Sequence, residues 1–317
     1  MARRLAVIAI GGNSLIKDKQ HQTVEDQYLA AKETCYHIAD MIEQGWDVAI
    51  GHGNGPQVGF ILRRSEIAAK VAGMHEVPLD VCGADSQGAI GYALQQNLHN
   101  DFARLGMDKH AVTVVTQVEV NRDSPAFTHP SKPIGSFMDE ATARERAARN
   151  NWHISEEPGR GWRRVVASPE PLAIVELEAI RHLVEDGYVV TAVGGGGIPV
   201  VRDAEGDLQG VEAVIDKDLA SALLASRLGA DLFVISTDVR RVYLDFGKPS
   251  RRGIDAMTLA DAKCHLAAGQ FGAGNMAPKI TAIVNFLEAG GRRAIVTCPA
   301  DLEDALGGAA GTTITRA

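Results

Sequence analysis

Three apolar runs in this chain stop abruptly on glycine. Residues 5–10 meet Gly11-Gly12-Asn13 with no polar spacer, and residues 48–51 meet His52-Gly53-Asn54-Gly55-Pro56-Gln57. Residues 189–193 meet Gly194-Gly195-Gly196-Gly197-Ile198-Pro199. Unbroken apolar runs of this kind read as strands buried on both faces, as in a parallel sheet. Glycine at a strand end leaves backbone N–H groups uncovered by a Cβ, and such a turn can cradle an anion. A single Gly-Gly reads as a tight strand-to-helix turn. Three such ends imply one anion-binding edge at the carboxyl ends of a sheet.

The remaining pattern agrees. Apolar spacing predicts helices over 23–44, 78–105, 174–185, 258–268 and 280–289, with another beginning near Pro56 and one running from Asp216-Lys217-Asp218 to Leu228. Strands are expected over 46–51, 111–120 (as one strand), 188–193, 232–236, 242–244, 294–297 and 312–315, with a hairpin over 199–210. Strands alternating with helices give an α/β chain with a mainly parallel, doubly wound sheet. Gln87, Gly88 and Gly91 inside the long helix suggest close helix or subunit packing. Residues 121–166 break the rhythm with Pro125, Pro130, Pro133, Pro158 and many charges. The stretch is too long for a plain loop and too polar for core, so it reads as an inserted subdomain or lid. Its Gly159-Arg160-Gly161-Trp162-Arg163-Arg164 run suits either a grip on an anionic ligand or a solvated hinge.

Composition narrows the function. A net charge of -8 over 317 residues argues against a general nucleic-acid or membrane-surface binder. No apolar run approaches a membrane span. The four cysteines are scattered without a CxxC pair, as free thiols in a reducing cytoplasm would be, and the ten histidines contain no HxxxH pair that would suggest zinc. No GxxxxGK[ST] loop, no full GxGxxG opening a first βα unit and no GxSxG elbow is present.

An anion-binding sheet edge suits phosphoryl transfer, which needs positioning and positive charge more than covalent help. Lys217, Lys279 and Lys132 each lie beside a glycine turn or in the lid. Lys217 is the strongest candidate, because it stands between Asp216 and Asp218 where a strand meets a helix. Asp218 has three possible roles there: orienting the lysine, helping to organise Mg²⁺, or capping the helix.

Nine runs, in order, cover nearly the whole chain: IGGNSL at 10–15, HGNGPQVG at 52–59, PLDVCGADSQGAIGY at 78–92, TQVEV at 116–120, HPSKPIGSF at 129–137, GRGWRRVVASP at 159–169, GGGGIPVV at 194–201, GVEAVIDKDLAS at 210–221 and TDVRRVYLDFGKP at 237–249. Together they resemble carbamate kinase, within the amino acid kinase superfamily. The resemblance implies a three-layer αβα open sandwich, a homodimer and a protruding subdomain, here 121–166. It implies reversible transfer of the γ-phosphoryl group of ATP to carbamate, giving ADP and carbamoyl phosphate, with Mg²⁺. A carbamate or carbamoyl phosphate lobe would comprise 1–120 and about 167–210, and a nucleotide lobe about 211–317. Gly11, Gly12, Asn13, Gly53, Asn54, Gly55, Gly195 and Gly196 would bind the transferred group. Lys132 would reach in from the subdomain, Lys217 and Lys279 would neutralise phosphate charge, and Asp218 would hold the lysines. Thr237, Asp238, Tyr243, Lys248 and Met276 would serve the nucleotide, and no resident metal site is implied.

The chain departs from the common family pattern at Asp85, Ala273 and Asn275. On a long helix Asp85 is expected to face solvent or a partner subunit. Two alternatives stand beside this reading: action on a different acyl phosphate, and binding of carbamoyl phosphate or nucleotide without turnover.

Overall fold

The computed structural model describes residues 4–12, 15, 20–272 and 275–317. The expectations placed on Asn13 and Ala273 lie outside those residues. β1 (Arg4–Ile10) is followed by α1 (Val24–Glu43), β2 (Trp46–His52), α2 (Gly55–Ala72) and α3 (Leu79–Leu105). α1 starts where Asp26 N donates to Thr23 Oγ1 at 3.1 Å and Thr23 N donates to Asp26 Oδ2 at 2.9 Å. This reciprocal cap satisfies backbone groups that the first turn leaves open. Pro56 stands in the first turn of α2, where a missing N–H has no bond to lose.

β3 (Ala111–Thr113) and β4 (Gln117–Val120) replace the single strand expected over 111–120, and they join different sheets. The cause is Thr116. Its N–H donates to Gln87 Oε1 at 2.7 Å and its carbonyl accepts from Gln87 Nε2 at 3.1 Å. Gln87 of α3 takes the Thr116 N–H, while the carbonyl, which also accepts from Ile198 N at 2.9 Å, turns toward β10 and starts the pairing of β4.

Next come α4 (Pro125–Thr128), β5 (Lys132–Met138), α5 (Glu140–Asn150), β6 (His153–Glu157) and β7 (Gly161–Val166). The three strands form their own antiparallel sheet in the order β5-β7-β6. β8 (Pro171–Ile174) precedes α6 (Leu177–Glu185), so the helix expected from 174 begins later, after a strand. Pro171 is tolerated because β8 is an edge strand, bonded only to β4.

The chain continues through β9 (Val189–Thr191), β10 (Ile198–Arg202), β11 (Leu208–Gly210), α7 (Lys217–Leu228) and β12 (Leu232–Ser236). β13 (Val242–Leu244), β14 (Arg252–Ile254), β15 (Ala256–Thr258) and α8 (Leu259–Ala267) follow, then α9 (Met276–Glu288), β16 (Arg293–Thr297), α10 (Leu302–Leu306) and β17 (Thr312–Thr315). α9 starts at Met276 rather than at 280, so Lys279 stands in a helical turn and not in the loop. Pro278 is no obstacle there, since the first helical N–H groups have no intrahelical acceptor.

The main sheet has eight strands in the order β15-β17-β16-β12-β1-β2-β9-β3. All are parallel except β17 and β15, which run opposite to the rest. Alternate residues of β1 enter different cores, as the pleat requires. Ala6, Ile8 and Ile10 pack with Ile38 of α1 and Leu94 and Phe102 of α3. Val7 and Ala9 pack with Ile180 of α6, Leu224 of α7 and Ile283 of α9. Helices therefore cover both faces, giving three layers.

β1 is the switch point of the sheet. Strands from the first part of the chain extend from it on one side, and β12 and β16 extend from it on the other. A crevice opens at the carboxyl ends of strands where the order reverses like this.

Candidate active site

The strand ends meet in register. Ile10 of β1 pairs with His52 of β2 and with Ser236 of β12, and Ser236 pairs with Thr297 of β16. The backbone leaves these ends close together. Gly53 N donates to the Ile10 carbonyl at 2.9 Å, and Gly11 N donates to the Ser236 carbonyl at 2.9 Å. A Cβ on Gly53 would lie 3.0 Å from Gly12 N and 3.0 Å from Lys217 Cδ. Glycine lets the first two turns and the Lys217 side chain share this space without crowding.

Lys217 opens α7 beneath those turns. The helix begins because Asp216 caps it, its Oδ1 accepting from Asp218 N at 2.9 Å. The cap is thus Asp216, and Asp218 is free for another task. Its carboxylate, buried, accepts from Lys217 Nζ at 2.5 Å through one oxygen and from Lys279 Nζ at 2.9 Å through the other. Burial alone would push the Asp218 carboxyl up, but the two ammonium groups outweigh it and hold it below the usual carboxylate range. Burial and the neighbouring Lys279 pull the Lys217 ammonium below the usual lysine range, against the opposing pull of Asp218. The group of three carries a net charge of +1 inside an acidic protein, and that excess attracts an anion.

Lys132, the first residue of β5, comes to the same place from the inserted sheet. Its Nζ donates to Asp216 Oδ2 at 2.8 Å. Lys132, Asn54, Gly55, Gly195 and Arg163 line a cavity of about 100 Å³ between that sheet and the glycine turns. Asn54 is fixed by its Nδ2, which donates to Ser86 Oγ at 2.7 Å. Gly195, at φ 68°, lies so close to the Asn54 amide that any side chain there would overlap it. Gly196 faces the Ile215 carbonyl instead of the cavity.

The nucleotide candidates lie further along the edge. Buried Thr237 extends β12, its N–H donating to the Thr297 carbonyl at 2.9 Å and its hydroxyl to Asp238 Oδ1 at 3.0 Å. Met276 begins α9 and packs on the core one turn ahead of Lys279. Tyr243 stands on β13 with its ring 6.4 Å from that of Phe246 and the Arg251 guanidinium 5.1 Å from its centre. Lys248 is exposed and bonds Asp245 at 3.1 Å. Asn13 lies outside the described residues.

Other residues act where their motifs gave only a packing signal. Gln87 Nε2 also donates to the Gly194 carbonyl at 2.9 Å, so α3 holds the third glycine turn. Gly91 packs against Thr113 of β3, and not against another helix. Asp85 is exposed. Arg160 and Arg163 both bond Glu157, at 3.0 and 3.2 Å, and both lie over Phe137. Arg164 pairs with Glu212 at 2.5 Å and lies over Trp152. The arginine run mainly braces the inserted sheet, and only Arg163 also reaches the cavity. Among the described residues no group of three or more His, Cys, Asp or Glu is placed to hold a metal, and no helix is long and apolar enough to cross a membrane.

Comparison with known proteins agrees with this geometry. Residues 4–298 match the model of the amino acid kinase family. The chain is 50% identical over 315 residues to carbamate kinase-like protein YahI of Escherichia coli, covering 99% of both chains. It is 44% identical over 311 residues to a carbamate kinase of Thermococcus kodakarensis, covering 98% of both. A solved carbamate kinase from Giardia lamblia, bound to AMP-PNP, superposes with a TM-score of 0.93 at 39% identity over 99% of each chain. The chain belongs to the amino acid kinase family and, within it, to the carbamate kinases.

Proposed function

We propose that Lys217, Lys279 and Lys132, ordered by Asp218 and the glycine turns, carry the carbamate kinase reaction: reversible transfer of the γ-phosphoryl group between ATP and carbamate. The observation that carries this assignment is the buried Asp218 bridging two lysines directly beneath the backbone of Gly12 and Gly53. In the forward direction a carbamate oxygen forms a bond to the γ-phosphorus as the bond to the β,γ-bridging oxygen breaks. Charge develops on the equatorial oxygens and on the leaving ADP. Lys217 and Lys279 stand preorganised to stabilise it, and charge stabilisation of this kind is the main protein contribution to phosphoryl transfer. Carbamate is already anionic, so no strong general base is needed.

The carbamoyl side is assigned to Gly11, Gly12, Gly53, Asn54, Gly55, Gly195 and Lys132. Thr237, Asp238, Tyr243, Lys248 and Met276 are assigned to ATP or ADP. The support for this division is the switch at β1, which sets the turns after β2 and β9, with Gly53, Asn54, Gly55 and Gly195, on one side and Thr237 and Asp238 after β12 on the other. Mg²⁺ would enter with the nucleotide, held mainly by its phosphates, because Asp218 is already occupied by two lysines. The homodimer implied by the family resemblance finds support in one face of α3, where Val81, Asp85, Gly88 and Tyr92 are exposed at successive turns; sedimentation mass checks it. ATP production from carbamoyl phosphate in a catabolic route, in the cytoplasm, completes the reading.

Lys217→Ala tests the assignment. Loss of one preorganised charge of about 3–4 kcal/mol should lower turnover by about two orders of magnitude or more. ADP binding, followed by calorimetry, should persist. Near-normal turnover in this variant would remove Lys217 from the mechanism.

A further inference from the structure

Asp216 occupies a place that the reaction scheme leaves unused. It is half-buried, and each of its carboxylate oxygens has a different partner. Oδ1 accepts from Asp218 N at 2.9 Å and so fixes the first turn of α7, the turn that carries Lys217 and Asp218. Oδ2 accepts from Lys132 Nζ at 2.8 Å and so fixes the one lysine that comes from the inserted sheet. Lys132 begins β5, which pairs with β7 in a sheet separate from the main one. A lysine side chain has several rotatable bonds, and holding it in one place costs conformational entropy.

We infer that Asp216 is a positioning residue: it holds the Lys132 ammonium at the mouth of the glycine-turn cavity before the carbamoyl phosphate side is occupied. The inference rests on the assignment of Lys132 to that side. Asp216 also neutralises Lys132 while the cavity is empty, and Lys132 neutralises Asp216, so the carboxylate presents no net repulsion to an arriving anion. With Lys132 prepositioned, an anion binding there need not order both the side chain and the strand that bears it. The same carboxylate links the inserted sheet to the first turn of α7, the turn that carries Lys217.

Asp216→Asn separates this role from helix capping. Asparagine is as good an N-cap as aspartate, so the helix start is retained, but the charge that holds Lys132 is lost. The KM for carbamoyl phosphate should rise about tenfold, the apparent affinity for ADP should stay within about twofold, and the thermal midpoint should be unchanged. Asp216→Ser, which also caps, should behave in the same way. In a Lys132→Ala background, Asp216→Asn should change KM by no more than about twofold, because a residue acting through Lys132 has nothing left to act on. Equal effects in the two backgrounds would overturn the inference and leave Asp216 as a cap alone. A fall in the thermal midpoint with ADP and carbamoyl phosphate affinities lowered together would do the same. If Lys132→Ala by itself left carbamoyl phosphate kinetics unchanged, the assignment of Lys132 would fail, which is a separate result.

Discussion

A buried carboxylate between two ammonium groups is costly to desolvate, and it persists only where each charge has a partner. Asp218 meets that condition, and the lysines it holds are left one positive charge in excess. His52 shows a different solution to burial close by. Its Nδ1 lies 3.1 Å from the Gly53 carbonyl, to which it donates, while Nε2 has no hydrogen-bond partner among the described residues. Burial lowers its pKa from 6.5 to about 4, with the Gly53 bond opposing and Lys217 adding to the fall. The unfolded chain therefore takes up a proton below about pH 6.5, and the folded protein only below about pH 4. Stability from this residue is complete above pH 6.5 and is lost as the pH falls toward 4, on the order of 3 kcal/mol in all. Urea unfolding between pH 7 and pH 4.5 should show this slope in the native protein and a shallower one in His52→Gln; equal slopes would contradict it. At this scale the sequence showed which residue types cluster near glycine, but not which carboxylate does what. Asp216 and Asp218 are two residues apart and chemically identical, and only the direction of the helix start decides that the first caps and the second binds lysines.

Elements were legible where a local signal ran without competition. The helix over 23–44, the Pro56 start and the glycine-ended strands all follow from short-range chemistry. Several of the failures share one cause, a distant partner. The strand over 111–120 breaks where Gln87, far away in sequence, takes the N–H of Thr116 and shares its carbonyl with Ile198 of β10. β8 escaped notice because Pro171 argues against a strand unless the strand lies at an edge, which only the sheet order reveals. Gln87, Gly88 and Gly91 gave a packing signal whose true partners are a glycine turn and a strand for Gln87 and Gly91, while Gly88 is exposed. The inserted sheet bears one prediction of its own. Because Lys132 is the one charged residue that β5 brings to the cavity, Lys132→Ala should reduce kcat/KM for carbamoyl phosphate by about tenfold or more while leaving ADP affinity nearly unchanged. A large loss of ADP binding would place Lys132 on the nucleotide side.

At the scale of the molecule, one sheet edge does most of the work. Parallel strands bring three glycine turns together, helices on both faces leave that edge open, and the reversal at β1 divides it into two halves. An acidic protein gains a local positive centre there through three lysines supplied by α7, α9 and the inserted sheet. Alternation of apolar runs with helices made the layered architecture readable in advance, whereas strand order and the switch point depend on crossovers that no local pattern records. The central claim is that this edge transfers a phosphoryl group between ADP and carbamoyl phosphate. It is tested most directly by ATP formation from ADP and Mg²⁺, with carbamoyl phosphate, acetyl phosphate and acetylglutamyl phosphate offered as donors. Fast ATP formation from carbamoyl phosphate, and little from the other two, is the predicted result; no ATP from carbamoyl phosphate while ADP still binds would contradict the account.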